Sequence, residues 1–96
     1  MNGFSVHATA RFEREYGRLL NQHPGVAEHF LKVVEILRQD PYNRSRAHPV
    51  KKLRGIAPGD GQYRVRSGHF RFRYDIQAQT VFLAYGGLRR EDTYRR

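Results

Sequence analysis

The stretch 63-YRVRSGHFRFRY-74 decides the fold, because apolar and basic residues alternate in it on both sides of a Ser-Gly step. Such a period of two is typical of strands that bury one face. A Ser-Gly pair between two alternating runs predicts a tight hairpin. With Ser67 and Gly68 as the two turn residues, Arg66 is expected opposite His69, and Arg64 opposite Arg71.

This register sorts the hairpin into an apolar face and a basic face. The apolar face carries Tyr63, Val65, Phe70, Phe72 and Tyr74. The basic face carries Arg64, Arg66, His69, Arg71 and Arg73. Directly opposed like charges destabilise a strand pair by a few tenths of a kcal/mol or more, which a chain selected for stability alone would avoid. Arginine also matches phosphate oxygens in pairs through its planar fork. The face therefore indicates binding of an anion.

The segments around the hairpin predict an α+β domain. A short strand is expected at about residues 2–7, and Thr9 is suited to cap the following helix. A second helix opens near Pro24 and ends at Asp40-Pro41. The apolar stripes of the two helices are Phe12, Tyr16, Leu19 and Leu20 in the first and Phe30, Val33, Val34 and Leu37 in the second.

Residues 42–61 are predicted to form a long connection, which in a compact domain is usually functional. A third apolar run, residues 80–85, predicts a more buried strand, and residues 89–96 a helical turn or an arm. The expected architecture is one domain, residues 1–96, with a small antiparallel sheet in the order β-α-α-β-β-β and both helices packed on one face.

The net charge of +9 is unevenly distributed. Residues 1–41 contain five basic and five acidic residues, whereas residues 42–96 contain thirteen basic and four acidic ones. A neutral half joined to a strongly basic half indicates a binding surface for a polyanion. Nucleic acid is favoured over a membrane surface, because no amphipathic basic helix accompanies the charge.

Composition excludes several kinds of chemistry. The chain has no cysteine, so it forms no disulfide, no thiolate metal site and no cysteine nucleophile. The five histidines, His7, His23, His29, His48 and His69, show no metal-ligand spacing. We expect neither a metal nor another cofactor. Without the apolar block of a signal peptide or a membrane span, the expected location is the cytoplasm.

Several short motifs, in order and spacing, resemble the RelE/ParE superfamily of bacterial toxins along almost the whole chain. The motifs are residues 37–41 at the end of the second helix, 52-KLRG-55, 63-YRVR-66 with Gly68, 70-FRFRY-74, and Arg89/Arg90 with Tyr94. The resemblance implies a sheet with two packed helices, and the toxin of a type II toxin–antitoxin pair.

By resemblance to RelE, the activity is ribosome-dependent cleavage of mRNA without a metal, by attack of the RNA's own 2′-hydroxyl. The implied partners are mRNA on the ribosome, with contacts to 16S rRNA, and an antitoxin protein. Arg64, Arg66 and Arg71 occupy catalytic positions of RelE, and either Arg89 or Arg90 matches a late catalytic arginine. Tyr94 matches an aromatic residue that stacks on a base of the message, although it could also pack on the domain. The cations expected to bind RNA are Lys51, Lys52, Arg54 and Arg73.

RelE has lysines where this chain has Arg64 and Arg66. An arginine stays protonated at ordinary pH and is a poor general base, so another group must accept the 2′-hydroxyl proton. His69 is the first candidate, because histidine changes charge near neutral pH. It is equally compatible with a strand histidine that has no catalytic task. His48, Lys51 and Lys52 are weaker candidates.

Two other functions remain open on the sequence. A ParE-type toxin inhibits DNA gyrase on the same fold without nuclease chemistry, which the loss of a lysine base would suit. A non-catalytic RNA-binding protein would need only the charge.

Overall fold

Two helices pack against one face of a five-stranded sheet in the computed structural model, which describes residues 3–88. The sheet order is β1-β5-β4-β3-β2, and the elements follow the chain as β-α-α-β-β-β-β. Their bounds are β1 Ser5–Ala8, α1 Ala10–Gln22, α2 Val26–Gln39, β2 Val50–Lys52, β3 Tyr63–Ser67, β4 Phe70–Gln77 and β5 Thr80–Leu88.

Two features of the sheet correct the sequence prediction. The sheet is mixed, because β1 runs parallel to β5 while the other neighbours are antiparallel. The direction of this edge strand depends on the path of the two intervening helices, which local periodicity does not encode. The predicted connection also contains a strand, β2, which pairs with β3 through Val50 to Lys52. Three residues are too few to show a period of two.

The first helix begins and the second ends where the sequence predicts, whereas α2 begins at Val26, two residues after the predicted Pro24. Thr9 is the N-cap of α1, and its hydroxyl oxygen accepts from the Phe12 amide at 3.1 Å. The same hydroxyl donates to the Leu83 carbonyl at 2.8 Å, which ties the helix start to β5. Helix α2 ends at Gln39, immediately before Asp40-Pro41. A threonine cap of this kind stabilises a helix by about 1–2 kcal/mol.

The core lies between the helices and the apolar face of the hairpin. Phe72 is fully buried, with its ring centroid 6.1 Å from that of Phe12 and 5.6 Å from that of Phe30. Tyr74 is also fully buried, and its hydroxyl donates to the Pro41 carbonyl at 2.7 Å. Leu20, a member of the predicted apolar stripe of α1, is not part of this core, since it is 38% exposed.

The hairpin register differs from the predicted one. Ser67 pairs with Phe70, so the turn residues are Gly68 and His69. Gly68 has a φ of +61°, and a glycine with positive φ at the first turn position is the requirement of a type II′ turn. His29 of α2 holds Ser67 in the strand, with 2.7 Å between its Nδ1 and the serine hydroxyl. Each pairing therefore moves by two residues, which leaves the strand side chains on their predicted faces and moves His69 from the basic face into the turn.

Candidate nucleic-acid interface

The face of the sheet opposite the helices carries five cations from three adjacent strands. We call this set the basic face: Lys51 of β2, Arg64 and Arg66 of β3, and Arg71 and Arg73 of β4. Residues in register across a sheet point to the same side, with Cβ atoms about 4.5–5.5 Å apart. The side chains of the basic face therefore form two transverse rows: Lys51–Arg64–Arg73 and Arg66–Arg71.

The register partners of these cations on β5 are not acidic. Arg73 pairs with Tyr85, and Arg71 pairs with Gly87. The five described strands contain one acidic residue, Asp75, which is 8% exposed. The backbone amides of Gly61 and Gln62 each donate to its carboxylate at 3.0 Å. The carboxylate of Asp75 is thus used to hold the loop before β3.

Arg73 also holds this loop. Its Nε donates to the Gly61 carbonyl at 3.1 Å, and Nη2 donates to the Asp60 carbonyl at 2.7 Å. A Cβ on Gly61 would lie 2.7 Å from the Cβ of Arg73, so the loop lies directly on the arginine. Two of the five guanidinium N–H groups are committed to the fold, while the charge stays on the basic face.

Tyr85 extends the first row with an aromatic ring. The guanidinium carbon of Arg73 lies 4.8 Å from the ring centroid, and that of Arg11, at the start of α1, lies at 4.0 Å. Both distances are within the range of attractive cation–π contacts. The sequence prediction missed Tyr85, because an apolar run indicates a buried strand without showing which of its residues stands beside the arginines.

The remaining predicted residues lie at different places. Lys52 is on the helix side of the sheet edge, with its amine 5.6 Å from the ring centroid of Tyr63. Arg54 is exposed in the turn after β2.

The prediction that His69 is a strand residue of the basic face is wrong. His69 is an exposed residue of the hairpin turn. The turn lies next to the row that contains Arg66. The other predicted site residues lie outside the described residues: Arg89, Arg90 and Tyr94.

His48 lies near the end of α2 and away from the basic face. Its Nε2 is 3.7 Å from Oδ2 of Asp40. The hydroxyl of Ser45 donates to the same carboxylate at 2.7 Å, and the backbone amides of Arg44 and Ser45 add two further hydrogen bonds. These hydrogen bonds, with that of the Ser45 hydroxyl the strongest, hold the pKa of Asp40 below its usual range. This arrangement orders the start of the connection.

Among residues 3–88, no group of three or more histidine or acidic side chains is placed to hold a metal ion. No helix in this part of the chain is long and apolar enough to cross a membrane. What the described residues assemble is a positively charged sheet surface with an aromatic residue at one end of a row. Such a surface suits the phosphates and bases of a single-stranded nucleic acid. Comparison with known proteins adds no relative: no family model, no curated protein and no solved structure matches this chain.

Proposed function

We propose that this chain is the toxin of a RelE-like toxin–antitoxin pair, a cytoplasmic endoribonuclease that cuts mRNA on the ribosome. The observation that carries the proposal is the basic face, where five cations in register meet on three adjacent strands. The resemblance of the sequence motifs to RelE, and the order of two helices followed by an antiparallel meander, support the same proposal.

In the proposed reaction, the 2′-hydroxyl of the message attacks the adjacent phosphate. The products are a 2′,3′-cyclic phosphate and a 5′-hydroxyl. Arg64, Arg66 and Arg71 would stabilise the negative charge that develops on the phosphate. Fixed cations on rigid strands suit this task, because they need no reorganisation during the reaction.

The proton of the 2′-hydroxyl needs an acceptor other than these arginines. His69 remains a candidate, since it is exposed in the turn two residues from Arg71. Lys51 is strengthened as a candidate, because its register with Arg64 brings it onto the basic face. Lys52 and His48 are weakened, since neither lies on that face.

Binding without cleavage is the second candidate function. Four of the five cations of the basic face are arginines, and one of them, Arg73, already donates to two loop carbonyls. A surface of this composition binds phosphates well, but its arginines are poor proton acceptors. It would serve a non-catalytic RNA-binding protein, and a gyrase inhibitor of the ParE type would likewise need no proton acceptor.

The test is induction of the chain in bacterial cells, followed by mapping of message 5′ ends. Cuts within translated codons that leave 5′-hydroxyl ends are the expected result. Arg71→Gln should abolish these cuts, whereas Arg38→Gln, on the last turn of α2, should leave them unchanged. Intact messages with stalled replication would instead support gyrase inhibition. Intact messages that copurify with the protein would support binding alone.

The toxin proposal also requires an antitoxin. We expect a neighbouring gene to encode a small protein with an acidic segment that covers part of the basic face. Coexpression of that protein should restore growth. Growth arrest that persists with it would contradict this part of the proposal.

A further inference from the structure

An open cleft of about 500 Å³ adjoins the basic face. We call it the loop cleft. Phe82 and Ala84 of β5 line it, together with Pro58, Gly59 and Gln62 of the loop before β3. Asp75 also lines the cleft. The volume is within the range of about 300–1,000 Å³ that is usual for small-ligand sites.

The loop cleft and the basic face share a wall. Phe82 is in register with Asp75, two residues along β4 from Arg73. Arg73 and Asp75 both hold the loop. Arg73 donates to the carbonyls of Asp60 and Gly61. Asp75 accepts from the amides of Gly61 and Gln62. A strand of RNA whose phosphates lie on the first row would therefore pass the mouth of the cleft.

The lining of the loop cleft selects a base over a phosphate. The carboxylate of Asp75 would repel a phosphate, whereas the ring of Phe82 offers a surface for stacking. The ring is half-buried, and His7 of β1 stacks beside it, with centroids 6.0 Å apart and planes at 27°. Gln77 adds an amide group, which both donates and accepts hydrogen bonds, as the edge of a nucleobase does. Gln62 adds an amide oxygen, since its Nε2 donates to the Ile56 carbonyl at 3.2 Å.

We propose that the loop cleft binds one nucleobase of the RNA whose phosphates lie on the basic face, with the base stacked on Phe82. This inference rests on the proposed binding of RNA, and it deepens that proposal by assigning a subsite for a base. It gives the loop before β3, held by Arg73 and Asp75, a role in recognition.

The experiment measures the affinity of a short single-stranded RNA with 2′-O-methyl groups, which block attack by the 2′-hydroxyl. A second set of RNAs carries one abasic nucleotide at each position in turn, so that phosphates stay and one base is lost. For the unchanged protein, loss of the base at one position should lower the affinity by about 5- to 150-fold, the usual effect of losing one stacked base.

Phe82→Leu keeps an apolar side chain but removes the ring. This variant should bind the intact RNA as weakly as the unchanged protein binds the sensitive abasic RNA. The abasic penalty, meaning the loss of affinity caused by removing that base, should vanish in the variant. Tyr42→Leu is the control, because it also removes an aromatic ring, one that contacts Tyr63 on the helix side of the sheet. It should retain the full penalty.

Phe82→Trp provides a second readout, since the chain contains no other tryptophan. Its fluorescence should be quenched by the intact RNA and not by the sensitive abasic RNA. Failure to bind any RNA would overturn both the proposed function and the loop cleft. RNA binding without a sensitive position, or with a penalty that persists in Phe82→Leu, would overturn the loop cleft alone.

Discussion

Neutralising one cation of the basic face has a measurable consequence for the salt dependence of RNA binding. Each phosphate that a protein neutralises on a single strand contributes about −0.7 to the slope of log affinity against log salt. If all five cations of the basic face contact phosphates, the slope is about −3.5. Affinity should then fall by about 100-fold between 50 and 200 mM salt, as this slope requires.

Arg66→Gln removes one exposed cation of that face. The slope should become about −2.8, and the fall over the same salt range should shrink to about 50-fold. The assay is fluorescence anisotropy of a labelled single-stranded RNA at several salt concentrations. Arg38→Gln is the control, because it lowers the net charge of +9 by the same amount from the last turn of α2. Equal slopes for the two variants would refute the reasoning, since binding would then follow net charge and not the basic face.

Substitutions at three positions test the packing that supports this face. Tyr74→Phe leaves the Pro41 carbonyl without its hydroxyl donor, which should lower the free energy of unfolding by about 1–3 kcal/mol. Burial raises the pKa of Tyr74, so the unchanged protein should lose stability as pH rises above about 10. In urea unfolding, the free energy of unfolding of the variant should fall less over this alkaline range. Gly68→Ala should lower the melting temperature, because φ is +61° and the new Cβ would contact the His29 ring; an unchanged value would contradict the turn geometry. Thr9→Ala should cost about 1–2 kcal/mol in thermal unfolding, whereas Thr9→Ser should retain most of the cap.

Local patterns in the sequence were sufficient for the helices and for the sorting of the hairpin faces. Thr9 and Asp40-Pro41 act on the backbone within a few residues, so their effects are legible without the tertiary fold. The basic face was predictable even though the register was wrong. Because side chains on a strand alternate with a period of two, a shift of two residues left Arg64 and Arg71 on the predicted side.

The register is supported by a contact between residues distant in sequence. His29 of α2 bonds to Ser67 and lies against Gly68, whose positive φ begins the turn at residues 68 and 69. The consequence for the candidate site is direct, since His69 becomes a turn residue. The strand β2 was equally hidden, because only its pairing with β3 distinguishes Val50–Lys52 from a loop.

The sequence by itself therefore determined which side chains share a face, because alternation is a property of each strand alone. Only the tertiary structure decided which of them are neighbours. Pairing of separate strands brought Lys51 beside Arg64 and Tyr85 beside Arg73. Folding of the loop onto Arg73 and Asp75 then formed the loop cleft. These contacts join residues far apart in the chain, so their energies depend on the packed fold, which no local pattern records.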